Sequence, residues 1–461
     1  MEDMRSNKEK FEALLEYAKE RMEVRKVPGV SIGIVAGDEE YTAGLGVTSI
    51  EQPMDVTPET LFQIGSTGKT FTCSVIMRLV EQGKLSLDDP VRKWIPQFKV
   101  ADESAAAAAT VRHLLNHTAG WVGDYLVGTG VGEDALDKYV ASVADLPQVS
   151  PIGMFFGYNN TSFCLAGKVI ESVTGKPYET VVHEMLFEPL GMPNTLYFPA
   201  ENMEIMLHRF AAGHQEHAGR LILARPWGFD RNVCPAGGVV SDLHDMLVFA
   251  RFHMGDGKSS KGEQILKPET LQYMQTPNKS AFDDGWMDTN WFVRNIGGVR
   301  IVAHGGSTNG QKAAFWMAPD QKFAFNVFTN QNMGGALHGD LTKWAYEHFL
   351  GVKQEEPQTY TLPETELSEF NMAFMMGGTG DLIQFTPHDG GLMANQVFGD
   401  HSDITEVPPE PEPPVNLRAF GKDCFMVLDE PMKDAKITFL RDDSGQIKWI
   451  HFGGRILARQ Q

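Results

Sequence analysis

The chain has 461 residues, of which 42% are hydrophobic, and its formal net charge is −20 at pH 7. This length and apolar content favour a large buried core divided between two domains. The acidity argues against a nucleic-acid surface, because no stretch concentrates enough Lys and Arg to neutralise phosphates. No run approaches the roughly 18 apolar residues of a membrane helix, and the N-terminus lacks the features of a secretion signal. We therefore expect a soluble, cytoplasmic protein.

The N-terminal part predicts a helix, a hairpin and a second helix. Ser6 and Glu9 have the spacing of a capping box, and an apolar face follows them at helical intervals. Two strand-like runs are then separated by a turn-like Gly37–Glu40 segment. The predicted elements are a helix over residues 6–26, strands at Val30–Ala36 and Tyr41–Ile50, and a helix from Ser66 to Gly83.

The middle of the chain, from about residue 84 to 285, is predicted to be mostly helical, and strand signals return after it. Because strands stand at both ends, we expect one antiparallel sheet built from the two halves, an α+β fold with an inserted helical region. The predicted helices are Val111–Asn116, Ser162–Val173, Tyr178–Leu186, Ser241–Met254 and Leu341–Leu350, and the predicted strands are Trp291–Arg294, Val299–Ala303, Lys312–Ala318 and Phe323–Thr329.

The C-terminal part has a different pattern. We expect one domain over residues 1–352, a polar linker over 353–364 and a small all-β, barrel-like domain over 365–461. The proline-rich run Pro408–Pro414 interrupts this domain and predicts an exposed, polyproline-like loop. The predicted strands are Leu382–Phe385, Cys424–Leu428, Ile437–Leu440 and Ile447–His451.

The four cysteines are far apart in apolar surroundings and form no Cys-x-x-Cys pair, so we expect reduced core residues with no zinc or redox site. They are Cys73, Cys164, Cys234 and Cys424.

Ser66 and Lys69 stand at the predicted start of the second helix. A serine hydroxyl is a poor nucleophile until a base takes its proton, and a spacing of three residues brings an amine against it. The helix N-terminus favours the neutral amine and a developing alkoxide. Because Ser-x-x-Lys also arises by chance, this pattern predicts a catalytic serine only in company with other groups.

Two further motifs provide other groups that a catalytic serine requires. Tyr158 and Asn160 form a Tyr-x-Asn motif on a predicted loop before a helix. A tyrosine beside a lysine ammonium can have a lowered pKa and can move a proton between the serine and a leaving group. His304-Gly305-Gly306 follows a predicted strand, and its glycines allow close approach of a substrate to the backbone.

Because these three motifs occur in this order, the chain resembles the penicillin-recognising serine hydrolases over about residues 8–350. That group includes class C β-lactamases, DD-peptidases and their esterase and D-aminopeptidase relatives, so the resemblance implies a β-lactamase/transpeptidase-like fold. The segment 365–461, which closes with Gly453-Gly454-Arg455-Ile456, is similar to the lipocalin-like barrel of D-amino-acid-preferring peptidases and peptide-cyclising thioesterases.

The resemblance also implies roles for individual residues. Ser66 would be the acylated nucleophile, and Lys69 and Tyr158 would be its base system. Asn160 and the His304-Gly305-Gly306 segment would bind the substrate, with His304 on the edge strand. The backbone N–H groups of Ser66 and Ser307 would form the oxyanion hole. This chemistry needs no cofactor or metal.

One departure from the family pattern affects the substrate. β-Lactamases of this group usually carry a lysine where this chain has His304, which is largely neutral near pH 7. We therefore expect a hydrolase acting on a small-molecule or peptide acyl substrate, a carboxylesterase or a D-amino-acid-type peptidase or amidase. The alternatives are a β-lactamase, an acyltransferase or peptide-cyclising thioesterase, and a penicillin-binding sensor without turnover. Acyl group, leaving group, stereochemistry and oligomeric state stay open.

Two weaker patterns have less specific interpretations. His113 and His117 have the spacing of a helical metal pair but no evident third ligand, which favours a structural role. The glycine-rich run 128–132 follows no convincing strand, so it indicates a mobile loop near the cleft and not a dinucleotide site. Trp121 and Tyr125 beside it are predicted to contact an apolar acyl group.

Overall fold

A computed structural model describes residues 5–276, 279–282, 285–287, 289–355, 357–375, 381–397, 413–430 and 432–460, with the backbone alone for 279–282 and 285–287. Within these ranges, no helix combines the length and apolar character needed to cross a membrane. The helices are α1 (Asn7–Arg25), α2 (Lys69–Glu81), α3 (Val91–Trp94), α4 (Glu103–Ala108), α5 (Val111–Leu115), α6 (Ala135–Ser142), α7 (Asn160–Thr174), α8 (Tyr178–Val182), α9 (Glu188–Leu190), α10 (Asn202–Leu207), α11 (Leu243–Met254), α12 (Pro268–Met274), α13 (Gly334–Phe349) and α14 (Glu364–Leu367).

One antiparallel sheet joins the two halves of the first part of the chain. Its eight strands follow the order β2-β1-β13-β12-β11-β10-β9-β8, so strands from the N-terminal hairpin pair with strands that follow the helical region. This confirms the predicted α+β fold. The strands are β1 (Gly29–Ala36), β2 (Glu39–Gly46), β8 (Lys279–Phe282), β9 (Gly285–Met287), β10 (Phe292–Ile296), β11 (Val299–Thr308), β12 (Gln311–Ala318) and β13 (Phe323–Thr329), while β3 (Phe62–Gln63), β4 (Leu196–Tyr197), β5 (His214–His217), β6 (Arg220–Leu223) and β7 (Val239–Ser241) form two smaller sheets.

The sheet has a hydrophobic core on each face because its strands alternate in side-chain direction. Val30, Ile32 and Ile34 of β1 face α1 and α13. On the other face Gly33 lies against α11, since a Cβ there would be 3.1 Å from Leu247. The helical region and α2 pack on that second face, which places the start of α2 beside β11.

The C-terminal part is a closed eight-stranded barrel, as predicted for an all-β domain and consistent with a lipocalin-like architecture. Of the predicted proline-rich loop, Pro408–Glu412 lie outside the described residues. The barrel strands are β14 (Ala373–Met375), β15 (Leu382–His388), β16 (Gly391–Val397), β17 (Val415–Gly421), β18 (Cys424–Val427), β19 (Lys436–Arg441), β20 (Ile447–Phe452) and β21 (Arg455–Arg459).

Some predicted boundaries were wrong. Helix α13 begins at Gly334, not Leu341, because two glycines of low helix propensity hide its first turn in the sequence. Strand β11 continues through the glycines to Thr308 and lies between β10 and β12, so it is not the edge strand of the sheet. Its pairing with β10 ends at Ala303, however, and the remainder pairs with β12 alone among the described strands.

Candidate active site

Ser66 lies in a short 3₁₀ turn that runs directly into α2. In a 3₁₀ turn, side chains at positions i and i+3 lie one above the other. Lys69, three residues on, therefore reaches the serine, and its Nζ is 2.9 Å from Ser66 Oγ. The predicted pairing of nucleophile and amine is present in the structure, although on a 3₁₀ turn and not on the first turn of a regular α-helix.

Lys69 is completely buried. Its Nζ also donates to the carbonyl oxygen of Ala236 and lies 5.0 Å from the ring centroid of Tyr158 and 5.5 Å from that of Phe163. Burial penalises the ammonium form and lowers the pKa of Lys69 to about 7, and the positive charge of Arg455 acts in the same direction. A large fraction of Lys69 is thus neutral near pH 7 and able to accept a proton.

Tyr158 lies beside this pair, just before α7. Its Oη is buried without a hydrogen-bond partner among the described residues. Burial raises the pKa of Tyr158 above its ordinary value, and the nearby Ser66 hydroxyl and Arg455 only partly oppose this effect. The expectation of a lowered tyrosine pKa is therefore wrong, because loss of solvation outweighs the neighbouring charge. Tyr158 is a neutral phenol in this site, and Lys69 is the stronger candidate for the base.

The backbone of the Ser66 turn approaches β11 unusually closely. A Cβ on Gly306 would lie 1.7 Å from the carbonyl oxygen of Ile64 and 3.2 Å from the amide nitrogen of Ser66. A Cβ on Gly65 would lie 2.9 Å from the amide nitrogen of Ser307. The two amides predicted for the oxyanion hole therefore belong to backbone segments in direct contact, and only glycine fits at this crossing.

Gly237 completes the same backbone crossing. It has a φ of 141°, and a Cβ there would lie 2.9 Å from the amide nitrogen of Ser66. Its neighbour Ala236 supplies the carbonyl that holds Lys69.

His304 is buried in the part of β11 that pairs with β12 alone among the described strands. Its Nδ1–H donates to the Gly305 carbonyl at 2.6 Å, and its Nε2 is 3.2 Å from Oδ1 of Asn290. Burial, reinforced by Lys69, lowers the pKa of His304 to about 3. The expectation that His304 is largely neutral near pH 7 agrees with this lowered pKa. His304 packs near Tyr158, with ring centroids 6.2 Å apart, so it supports that ring.

His117 likewise packs against the site. Its ring stacks on Tyr158 at 4.4 Å, its Nε2–H donates to Asn290, and its Nδ1 accepts the backbone N–H of Asn159. His113 instead accepts the backbone N–H of Thr110 at the start of α5. Among the described residues, no group of three or more His, Cys, Asp or Glu side chains could hold a metal ion.

Asn160 is the first residue of α7, because Asn159 caps that helix by accepting the N–H of Ser162. The Asn160 amide donates to Asp124 Oδ1 at 2.6 Å. Asp124 in turn accepts from Arg455, with Nε 2.9 Å from Oδ2. One N–H of the predicted substrate-binding amide is thus already engaged.

Arg455 belongs to the barrel, so the C-terminal part contributes directly to this site. Its guanidinium carbon lies 4.7 Å from the ring centroid of Tyr158. The preceding residue, Gly454, accepts the backbone N–H of Tyr158 at 2.7 Å. The Gly453-Gly454-Arg455-Ile456 pattern was expected only as the end of the barrel, and Asp124, which carries no motif of its own, was not predicted.

The predicted acyl contacts remain predictions. Trp121 is buried in the main core against Phe98, with ring centroids 5.5 Å apart. Tyr125 packs near Tyr139 at 6.1 Å. The glycine-rich run 128–132 is held in place by two hydrogen bonds to side chains. The Gly130 N–H donates to Asp230, and the Thr129 N–H donates to Asn232.

The sequence and the fold are similar to those of known proteins. The beta-lactamase family model matches residues 14–347. Penicillin-binding protein 4 of Amycolatopsis lactamdurans is 29% identical over 338 residues, which cover 72% of this chain and 88% of that protein. The fold is similar to the crystal structure of SurE, with a TM-score of 0.77 and 24% identity over 99% of this chain and 100% of that one. It is also similar to the octameric penicillin-binding protein homologue from Pyrococcus abyssi, with a TM-score of 0.66 and 24% identity over 98% of this chain and 100% of that one.

Because the family model spans well over half of the sequence, the chain belongs to the beta-lactamase family, whose members are serine hydrolases. The two structural likenesses extend over the barrel as well, so the combination of the two folds is also found in other proteins.

Proposed function

We propose that this protein is a serine hydrolase that forms an acyl-Ser66 intermediate from an ester, amide or peptide and releases the acyl group to water. The observation that carries the proposal is the 2.9 Å contact between Ser66 Oγ and a fully buried Lys69 whose pKa is about 7. An amine with this pKa is matched to general-base catalysis at neutral pH.

In the acylation step, Ser66 Oγ attacks the acyl carbonyl carbon while its proton passes to Lys69 Nζ. The backbone N–H groups of Ser66 and Ser307 stabilise the oxyanion, and loss of one such donor typically costs about 10²–10³ in kcat. The carbon–leaving-group bond then breaks, and the leaving alcohol or amine takes a proton through Tyr158, which is replenished from Lys69. Water repeats the sequence on the acyl-enzyme and regenerates Ser66.

The neutral His304 favours esters and peptides over β-lactams. With a pKa of about 3, the imidazole cannot provide the permanent charge that the corresponding lysine of related β-lactamases offers to an antibiotic carboxylate. Simple esters and D- and L-amino-acid amides are therefore the first substrates to test, with a chromogenic cephalosporin as the comparison.

The decisive experiment uses the full chain and its Ser66→Ala variant with a 4-nitrophenyl ester and an alkyl-phosphonate probe. We expect turnover to fall by at least about 10³-fold in the variant, because its nucleophile is absent. We also expect a mass increase of one phosphonyl group on wild type alone.

Equal turnover by both proteins, or no adduct on wild type, would contradict the proposal. A burst of one equivalent without further turnover would indicate an acylating sensor instead. Transfer to an added amine in preference to water would indicate an acyltransferase.

A further inference from the structure

The backbone carbonyl that holds Lys69 belongs to a short 3₁₀ turn, Arg231–Ala236, which lies against α2. A neutral amine keeps two N–H groups and one lone pair. When one N–H is donated to the Ala236 carbonyl, rotation of the amine is restricted and its lone pair can be directed at the Ser66 hydroxyl. A base that is oriented by a third group in this way is a general feature of activated nucleophiles. The position of this carbonyl therefore affects whether Lys69 can accept the proton of Ser66.

Thr72 holds the neighbouring carbonyl of the same turn. It lies one turn after Lys69 on α2 and is completely buried. Its hydroxyl donates to the carbonyl oxygen of Pro235 at 2.8 Å. Because residues three apart share a helix face, Lys69 and Thr72 donate from one face of α2 to two consecutive carbonyl groups. A displacement of the Pro235 carbonyl is thus passed on through a single peptide unit to the carbonyl of Ala236.

Two buried tyrosines complete a chain of hydroxyl groups behind Thr72. Tyr178 is the first residue of α8, and its Oη lies 2.8 Å from Thr72 Oγ1 and 3.1 Å from Tyr197 Oη. Burial raises the pKa of both tyrosines, so both keep their protons. Since the Pro235 carbonyl can only accept, the Thr72 proton points to it, and Tyr178 must be the donor to Thr72. Each hydroxyl in the chain therefore donates toward the 3₁₀ turn.

The other end of the turn is fixed to the same helix. Glu179, the residue after Tyr178, forms two contacts with Arg231, at 3.0 Å from Nε to Oε1 and 3.2 Å from Nη2 to Oε2. The two side chains are largely buried, with exposed fractions of 6% for the glutamate and 14% for the arginine. Adjacent residues of α8 thus hold the first residue of the turn and, through Thr72, the residue before Ala236.

We propose that Thr72 is a positioning residue for Lys69. By holding the Pro235 carbonyl, its hydroxyl fixes the next carbonyl, that of Ala236, in the place where it orients the amine. The inference rests on the proposed hydrolase function and adds a residue outside the three sequence motifs to its machinery. Thr72 acts through a backbone group and not on the substrate, so its loss should change the orientation and the ionisation of Lys69.

The sign of the expected change in ionisation follows from the hydrogen bond to Ala236. A carbonyl that accepts from an ammonium stabilises the charged form and raises the pKa of the amine. When Thr72→Val releases the turn, this support weakens, and the pKa of Lys69 should fall. The charged residues Arg455 and Asp124, which also act on Lys69, are unchanged in every variant compared.

The test compares full-length Thr72→Val and Thr72→Ser with wild type. The kcat and KM for a neutral 4-nitrophenyl ester are measured from pH 5 to 9, and the pKa of Lys69 is followed separately by NMR of ¹³C-labelled lysine, with its signal assigned by Lys69→Arg. Thr72→Val should lower kcat at its plateau about tenfold with little change in KM. It should also move the acid limb of the profile and the NMR titration to lower pH by at least about 0.5. Thr72→Ser keeps the hydroxyl and should retain most of the wild-type behaviour.

Ser74→Ala provides the matched control. Ser74 is also buried on α2, and its hydroxyl donates to the carbonyl of Thr70 at 2.8 Å. Its removal deletes a buried hydrogen bond without touching the 3₁₀ turn, so the pKa of Lys69 should stay the same. Thermal unfolding of each variant measures any loss of folded protein. If Thr72→Val does not fold, Tyr178→Phe, which removes the donor to Thr72, should produce a smaller shift in the same direction.

Three results would overturn the inference: an unchanged pKa of Lys69 in the folded variant, an equal shift in Ser74→Ala, or a Thr72→Ser protein as impaired as Thr72→Val. If the NMR shift is present but wild type forms no acyl-enzyme, the proposed function fails while the positioning role stands. If wild type turns over and the shift is absent, the proposed function stands and the positioning role fails.

Discussion

At the residue scale, the site depends on a lysine that is kept neutral by its surroundings. An ammonium group in water has a pKa near 10.4, and burial lowers that of Lys69 to about 7. The same burial keeps Tyr158 protonated. Loss of solvation therefore acts on both groups: it lowers the pKa of Lys69 and raises the pKa of Tyr158, as the proposed roles of base and proton donor require.

The pH dependence of hydrolysis follows from this separation. Below pH 7 Lys69 becomes an ammonium and cannot accept the Ser66 proton, so kcat/KM should fall about tenfold per pH unit below that value and level off above it. His304, with a pKa of about 3, should not contribute between pH 5 and 9. Initial rates on a neutral ester from pH 5 to 9 measure the profile.

The Lys69→Arg variant is the control for this assignment. Arginine keeps the positive charge but stays protonated at every accessible pH, so the variant should lose about 10²–10⁴ in kcat/KM. A profile that is flat through pH 7 in wild type, or an active Lys69→Arg enzyme, would assign the base elsewhere.

The sequence predicted the residues of the site better than their ionisation. Ser66, Lys69 and Tyr158 were selected by motif order, and the structure brings the three together. Their pKa values depend on how many side chains cover them, and that packing comes from segments far apart in the sequence. Asp124 could not be predicted for the same reason, because its partner is 331 residues away.

At the scale of elements, the site lies where the 3₁₀ turn of Ser66 crosses β11. The carbonyl of Ile64 and the amide of Ser66 both lie against Gly306. Such a crossing requires a residue without a side chain, because any Cβ would force the two backbone segments apart. Gly305 and Gly306 were recognised in the sequence as important. They were predicted to follow the strand, however, because glycine is rare inside strands.

The substitution Gly306→Ala tests this crossing. The added methyl group would lie 1.7 Å from the carbonyl oxygen of Ile64, so β11 must move away from Ser66. We expect kcat to fall by at least about 10²-fold, as for loss of an oxyanion donor. The measurement is steady-state hydrolysis together with thermal unfolding.

Gly339→Ala provides the matched control. Gly339 lies inside α13, and nothing lies within 4 Å of the position of an added Cβ. Alanine has the higher helix propensity, so this variant should gain about 0.5–1 kcal/mol in the free energy of unfolding. Full activity of Gly306→Ala would show that β11 can move away from Ser66 without loss of the oxyanion site.

At the scale of the whole molecule, the barrel and the catalytic part share one polar network. Arg455 bonds Asp124, and Asp124 bonds Asn160. Trp449 of the barrel also donates to the carbonyl of Val149 at 2.7 Å. The sequence predicted the α+β and all-β classes of the two parts, but no local pattern in either part indicates that they meet at the candidate site.

A double-mutant cycle measures how far the barrel supports catalysis. Arg455→Gln leaves the Asp124 carboxylate, only 18% exposed, without its cation and should cost about 1–3 kcal/mol in the free energy of unfolding, with a loss of kcat. Asp124→Asn in the same chain removes the unpaired charge and should restore part of the stability. Strictly additive effects of the two substitutions in denaturant unfolding would contradict a coupled pair.

The position of Arg455 in β21 also has a consequence for how the protein is made. Ribosomes deliver the chain from the N-terminus, and its early parts can begin to fold before the rest has emerged. Ser66 emerges early, but its sheet needs β13 to pair with β1, and its polar network needs a residue some 389 positions later than Ser66 (455 − 66). A nascent chain therefore carries Ser66 long before the polar network of Arg455, Asp124 and Asn160 can form.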